Sequence, residues 1–393
     1  MPATSLPSLR ILHTNFHRGW GGQPAWILML SMGLARQGHR VVIGAPGGSL
    51  LAQRARDAGI ETFEEPLFLK SKHVPSAFRD ALRLGRFLRS RRFDLVNAYG
   101  SQDLWATALA RRMSHPALPL VYSRLNSKAV RHHPFNRFLY RRLIDHLIVA
   151  SASVLDRYAA FIRAGDLTRD RVSVVHSAYW EDQFHPGVDG SGVRREILGG
   201  NGSDGILVGV IGRLVRDKGG IHFLKAVAEL STEFPGARFL FVGRGTEETR
   251  LKEAARALGV AERVVFLGFR EDVPQITAAL DLSVLPSVDC DASSAVLKEA
   301  MAVGRPVVAT SLGGADEIVL DGETGLLVQP GDSEALARAM REILRRPDRG
   351  RAMGEKGLER VRAEFTQDRL VERTLAAYHK TLALCGSQEG QVL

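Results

Sequence analysis

The sequence predicts an α/β protein built from two doubly wound domains in series. Three observations carry that expectation. Short apolar segments alternate with helical ones, and the alternation runs once and then starts again. Between the two runs, residues 187–205 are dominated by Gly, Ser, Asn and Asp, the composition of a linker, apart from a short possible helix at Val193–Leu198. The 393 residues suffice for two or three domains of about 100–200 residues each.

In the first run, Arg10–Thr14 and Arg40–Ala45 read as strands. Between them lies a helix over Pro24–Gln37 that stops at Gly38. Phe93–Tyr99, Pro119–Ser123 and Leu147–Ser151 are further strand candidates, with helices at Ser76–Arg91 and Asp103–Arg112. In the second run, strands are expected at Ile206–Ile211, Arg238–Val242, Val264–Leu267, Leu282–Leu285, Val307–Ala309 and Gly325–Val328. Helices at Gly220–Glu233 and Glu247–Leu258 fill two of the gaps, and Thr366–Ala383 is a closing helix. The expected domains are 1–190, 191–365 and a terminal segment 366–393. Ligands of such sheets bind outside the carboxyl ends of the strands, so a cleft is expected there.

Composition narrows the function classes. The chain is 45% hydrophobic and 24% charged, which excludes collagen-like, disordered and disulfide-scaffold proteins. No apolar run reaches the roughly 18–20 residues of a membrane span, and the first ten residues lack a signal-peptide pattern. Two cysteines, Cys290 and Cys385, make no disulfide framework or Cys-rich metal site, and a cytoplasmic location is expected. The net charge of +10 is uneven: residues 1–190 hold 26 Lys and Arg against 14 Asp and Glu. That excess points to an anionic partner: nucleic acid, an acidic membrane surface or a phosphorylated substrate. No RNA-binding signature supports the first. Two basic, apolar helical stretches, 79–92 and 136–143, fit either an anionic bilayer surface or ordinary packing on a sheet.

Four motifs fall at strand ends. Gly19-Trp20-Gly21-Gly22-Gln23-Pro24 leads into the first helix. There Gly21 and Gly22 either let a backbone approach a phosphate or simply make a tight turn. It is not a dinucleotide fingerprint, because Pro24 stands where the third glycine belongs; Gly243-Arg244-Gly245 fails likewise at Glu248. Gly212-Arg213-Leu214-Val215-Arg216-Asp217-Lys218-Gly219 puts Arg213 and Lys218 beyond a strand, where two cations hold a diphosphate or merely face solvent. Asp291 and Glu299 bracket a loop and a helix that begins near Ser293 or Ser294. The free N–H groups of Ser293, Ser294 and Ala295 would face phosphates; the alternative makes Asp291 an N-cap and Glu299 a surface charge. Asp289-Cys290-Asp291 has the shape of a metal–nucleotide motif, but no carboxylate or His cluster supports it, so no metal is expected. Finally, Gly313-Gly314-Ala315-Asp316-Glu317 either binds phosphate or hydroxyls or starts a helix with favourable acids.

Taken in order, Gly212-Arg213 with Lys218-Gly219, Gly243-x-Gly245, the acids Asp291 and Glu299 with seven residues between them and the second opening Glu-Ala-Met-Ala, and Gly313-Gly314-x-x-Glu317 resemble glycosyltransferase family four. The resemblance is specific over about 200–370 and looser over the rest. The phrase Ala-Ser-Ser-Ala-Val-Leu-Lys-Glu299 is similar to members that build lipopolysaccharide and other surface glycans. The resemblance implies the GT-B fold: two Rossmann-like domains facing a cleft, with the last helix crossing back to the first domain. It implies retaining transfer from a nucleotide-diphosphate sugar to a glycan or lipid-linked acceptor, without metal or cofactor. It places the donor on the second domain and the acceptor on the first. Arg213 and Lys218 then match the diphosphate ligands, Asp291 the acid at the donor sugar, Glu299 the acid at the ribose, and Gly21 and Gly22 the loop near the phosphates. The stretches around Gly243–Gly245 and Phe269–Arg270 would read the base.

Two departures stand out. The first acid is usually Glu and here is Asp291, one methylene shorter. Many members carry His where this chain has Leu125, and neighbouring His132 and His133 are not assigned that role. Same-fold alternatives are a nucleotide-sugar epimerase or hydrolase, and a catalytically weak nucleotide-sugar-binding homologue.

Overall fold

The structure, a computed structural model, describes residues 7–68, 74–200, 205–289 and 291–389. It divides into two compact units: residues 1–176 with 367–393, and residues 177–366.

The first unit holds a seven-stranded, wholly parallel sheet: β1 (Arg10–Thr14), β2 (Arg40–Gly44), β3 (Glu61–Phe63), β4 (Leu95–Ala98), β5 (Leu120–Arg124), β6 (His146–Val149) and β7 (Val172–Val174), in the order β3-β2-β1-β4-β5-β6-β7. The second unit repeats the plan with six: β8 (Leu207–Ile211), β9 (Arg238–Val242), β10 (Val264–Gly268), β11 (Leu282–Leu285), β12 (Val307–Thr310) and β13 (Leu326–Val328), in the order β10-β9-β8-β11-β12-β13. In each sheet the order reverses beside the first strand, between β1 and β4 and between β8 and β11. That reversal is the switch point at which doubly wound sheets bind ligands.

The central strands are buried on both faces, as parallel sheets covered by helices must be. They therefore appear in sequence as continuous apolar runs. The edge strands β3 and β7 are only partly buried and carry Glu, Thr and Ser, and the sequence reading has no strand at either. In the second unit Phe223 meets Phe241 edge-on at 5.3 Å between ring centres, joining the Gly220–Leu230 helix to β9.

The expected linker is not one. Residues 191–198 form a helix whose Val193 packs on Leu207 and Leu280, and Arg194 donates to the Ala279 carbonyl and to Asp281. The preceding segment also belongs to the second unit, because Tyr179 and Phe184 join the core around Leu297 and Met301. The division consequently falls at residues 176/177 rather than 190/191. Polar composition misled here because a few apolar anchors suffice to fasten a Gly-rich segment. Residues 201–204 lie outside the described part, as do residues 1–6 of the N-terminal stretch.

The closing helix, Gln367–Glu389, is part of the first unit. It lies against the Gly22–Arg36 helix at Gly33, where a Cβ would come within 2.5 Å of Val371. Its Tyr378 is fully buried: the hydroxyl accepts from Asn97 Nδ2 at 2.7 Å and pairs with His13 Nε2 at 3.1 Å. Burial pushes the His13 imidazole down to about 3, so it stays neutral in this network.

Candidate functional site

Four of the residues singled out in the sequence belong to the second unit: Arg213, Lys218 and Asp291 on loops after strand ends, and Glu299 on the helix that follows. The chain leaves β8 through Gly212 (φ 141°) and Gly219 (φ 65°), both in backbone conformations that favour glycine. At Gly219 a Cβ would lie 1.9 Å from the Pro286 carbonyl oxygen, so only glycine lets this loop reach the one after β11. The two loops are stitched by the Asp217 carbonyl, which accepts from the backbone of Val288 (2.9 Å) and Asp289 (3.3 Å). That contact brings Lys218 Nζ to Asp291 Oδ2 at 2.7 Å. Arg213 stands exposed on the same β8 loop. Gly220 begins an 11-residue helix with no side-chain cap, so its first N–H groups share the neighbourhood of Lys218.

Asp291 is almost wholly buried and is held from several sides. Ser287 Oγ donates to Oδ2 at 3.4 Å, and the Thr310 hydroxyl in turn donates to the Ser287 carbonyl at 2.6 Å. Gly314 N donates to the Asp291 carbonyl at 3.2 Å. A Cβ on Gly313 would lie 1.4 Å from that carbonyl oxygen. The Gly313-Gly314 pair is thus accounted for as the seat of the Asp291 loop. Asp291 is not an N-cap; that position is taken by Ser294, whose Oγ accepts from Leu297 N. The helix runs from Ala295 to Ala302 and carries Glu299 midway. Glu299 is partly buried, and burial pushes its carboxyl up to about 7. Cys290, the middle of the Asp-x-Asp pattern, lies outside the described residues.

Sequence reasoning passed over Lys298. Its side chain is fully buried, and Nζ donates to Ser177 Oγ at 2.6 Å and Ser293 Oγ at 2.7 Å, with the Phe365 ring centre 5.0 Å away. Burial pushes its ammonium down to about 7. The available signal was a lysine inside the apolar run Ala-Val-Leu-Lys-Glu-Ala-Met.

Other expected ligands have structural partners. Ser293 serves Lys298, and Ala295 is the first helical residue after the cap. At Gly243 and Gly245 a Cβ would lie 2.0 Å from the carbonyl oxygens of Gly212 and Leu214 respectively. Both glycines are needed for the crossing of the β8 and β9 loops. Arg270 is engaged on both sides, by Glu196 (2.7 and 3.0 Å) and by Asp272 (2.7 Å twice).

In the first unit, Gly21 precedes and Gly22 opens the helix Gly22–Arg36, which has no side-chain cap. A Cβ at Gly19, Gly21 or Gly22 would meet nothing within 4 Å. Packing does not demand these glycines, in contrast to Gly243, Gly245 and Gly313. The basic stretch 79–92 lies largely on the helix Val74–Ser90, which packs along the helix Ser101–Ser114. The first exposes Phe78 and Leu82, and the second exposes Trp105, Leu109 and Met113 at four-residue intervals. The stretch 136–143 continues the Pro134–Phe138 turn and exposes Phe138 beside Arg141 and Arg142. His132 pairs with Asp166 at 3.0 Å, which also binds Arg137. No described helix is long and apolar enough to cross a membrane.

Comparison with known proteins follows this division. Residues 20–180 match the family model described as Glycosyltransferase Family 4, and residues 205–346 match the one described as Glycosyl transferases group 1. The chain is 31% identical over 314 residues to the 2-deoxystreptamine N-acetyl-D-glucosaminyltransferase of Streptomyces fradiae, covering 74% of this chain and 72% of that protein. It is 29% identical to the lipopolysaccharide core biosynthesis mannosyltransferase LpcC of Rhizobium leguminosarum bv. viciae, over 78% of this chain and 83% of that one. The chain spans about half the length or less of several other curated relatives that it matches. With the 2-deoxystreptamine glucosyltransferase of Streptomyces kanamyceticus the match covers 46% of that protein and 45% of this chain, at 33% identity. The crystal structure of Anabaena HepE in complex with UDP shares the fold: the TM-score is 0.79 at 22% identity, covering 94% of this chain and 99% of that one.

Proposed function

The chain belongs to glycosyltransferase family four, and on that premise we propose that it moves a sugar, with retention, from a nucleotide-diphosphate sugar to a glycan or lipid-linked acceptor of a bacterial surface polysaccharide or lipopolysaccharide. The carrying observation is the Lys218–Asp291 pair at the ends of β8 and β11, beside an exposed Arg213. A cation and a fixed carboxylate at a switch point suit a ligand with a diphosphate at one end and hydroxyls at the other. Support also comes from relatives: LpcC acts in lipopolysaccharide core biosynthesis by its name, and HepE was crystallised with UDP.

In this reading Arg213 and Lys218 neutralise the diphosphate as it departs. Asp291 meets the donor sugar, and Glu299 accepts from the ribose hydroxyls. The leaving phosphate oxygen takes the acceptor's proton, so no enzyme base is required. Positioning and charge stabilisation then supply the catalysis, without a metal or cofactor. The open backbone at Gly21 and Gly22 admits a phosphate-bearing ligand. The apolar side chains exposed on Val74–Ser90 and Ser101–Ser114, with Arg79, Arg86 and Arg112 exposed beside them, rest on an anionic membrane surface that carries the acceptor.

The test is thermal stabilisation by UDP, GDP, ADP, CDP and NAD. A diphosphate at a hundred times its dissociation constant adds about 2.7 kcal/mol. One diphosphate should respond and identify the base, and product analysis with its sugars should show transfer only when an acceptor is added. Stabilisation by NAD alone, or product from donor alone, would overturn the reading.

A further inference from the structure

A cavity of about 280 Å³ opens in the first unit, bounded by Ser101 just after β4 and by Arg124 at the end of β5. It therefore sits at the carboxyl end of the sheet. Its walls mix apolar and aromatic side chains, including Leu104, Trp105 and Tyr140, with the polar Ser101 and Asn136. Its charges are all of one sign: Arg124, Arg131 and, when protonated, His133. No Asp or Glu lines it.

Arg124 is the unusual member. Nearby arginines of this unit have acidic partners: Arg111 pairs with Asp145, and Arg137 with Asp166. Arg124 donates from Nη2 to the Lys128 carbonyl at 2.9 Å, while its buried Nε has no hydrogen-bond partner. Tyr122 hydrogen-bonds the guanidinium and Tyr140 stands near it, but burial raises both phenols, so they stay neutral and bring no negative charge to it. A half-buried guanidinium with an unused N–H is costly to keep unless a ligand answers it. Two guanidinium groups without a carboxylate match a dianion, and the planar fork of arginine suits phosphate oxygens.

We propose that this cavity is an acceptor subsite that binds a phosphate ester, with Arg124 and Arg131 holding the phosphate and the attached group lying against Trp105 and Leu104. The proposal rests on the transfer reading above and narrows its acceptor to a phosphorylated one. The phosphate belongs either to a soluble phosphosugar or to a lipid headgroup.

The experiment titrates the full chain with phenyl phosphate and follows the emission of Trp105, with phenol as the neutral control and Trp105→Phe to locate the signal. Phenyl phosphate should saturate the signal and phenol should not. Arg124→Gln should weaken binding at least tenfold, and Arg124→Lys should restore part of it. Equal responses to phenol and phenyl phosphate, or undiminished binding by Arg124→Gln, would overturn the proposal. If Arg124→Gln does not fold, Arg131→Gln on the exposed loop replaces it, with at least a threefold loss expected and no loss fatal. Inorganic phosphate and monomeric dihexanoyl phosphatidic acid then compete. Displacement by the first alone assigns a soluble phosphate, and displacement by the lipid at lower concentration assigns a headgroup. Displacement by neither overturns the site. Nucleoside-diphosphate stabilisation is read on the same samples. Its absence alongside phenyl phosphate binding sinks the transfer reading, whereas its presence without that binding sinks this proposal alone.

Discussion

Lys218 Nζ and Asp291 Oδ2 lie 2.7 Å apart although 73 residues separate them in the chain. The contact exists because Gly219 and Gly313 let two loops close on backbone carbonyls that any side chain would strike. If Lys218 steadies a departing diphosphate, Lys218→Ala should lower kcat/KM by about 100- to 1,000-fold, the usual cost of losing one charge-stabilising donor. Arg213→Ala, on an exposed residue, should do the same while leaving the urea midpoint unchanged. Near-normal turnover in both variants would remove these cations from the chemistry.

Glycine substitutions separate support from ligand contact. Gly313→Ala places a Cβ where the Asp291 carbonyl oxygen sits, in a left-handed conformation (φ 67°). It should cost about 2 kcal/mol or more in urea unfolding and most of the activity. Gly21→Ala meets nothing within 4 Å. Its stability should stay within about 0.5 kcal/mol of wild type, while the KM for the phosphate-bearing substrate rises. An unchanged KM would show that the open loop serves no ligand.

Glu299 gives a pH signature. Its carboxyl is raised by burial to about 7, from an ordinary 4.5. Between those values the native protein keeps a proton that the unfolded chain has lost, so stability falls as pH rises through that range. Glu299→Gln should match wild type near pH 4 and exceed it above pH 7 by up to about 2–3 kcal/mol, at roughly 1.4 kcal/mol per pKa unit. Nucleoside-diphosphate affinity should strengthen from pH 6 to 8 in wild type, as the ionised acceptor of ribose hydroxyls forms, and stay flat in the variant. Parallel profiles would mean that Glu299 does not bind the nucleotide.

The central strands were legible because burial on both faces writes an uninterrupted apolar run, as at β9 and β11. The edge strands β3 and β7 were not, since half their surface is free to be polar. Strand-end cations and acids stood out because the alternation fixes where loops fall. What remained hidden was tertiary. Nothing local to Gly243 or Gly313 tells a ligand glycine from one pressed against a carbonyl. Tyr378 gives no sign in sequence of reaching His13 and Asn97, 365 and 281 residues away. Nor does the sequence show that Arg270 is paired with Glu196 and Asp272.

Lys298 makes the opposite pH prediction to Glu299. Burial lowers its ammonium to about 7 from an ordinary 10.5. Between those values the unfolded chain holds a proton that the native protein lacks, so this residue's contribution makes stability rise with pH from about 7 to 10.5. Lys298→Met keeps the length and apolar stem but removes the titrating group. The variant should gain stability relative to wild type at pH 7, offset by about 1–3 kcal/mol for the Ser177 and Ser293 hydroxyls left without their donor. The informative quantity is the difference between the two proteins at pH 7 and at pH 9. It should move against the variant by about 1.4 kcal/mol per unit of pH, because wild type alone recovers stability. A difference independent of pH would mean that the Lys298 ammonium stays charged inside the core, with Asp291 and Glu299 as its counter-ions.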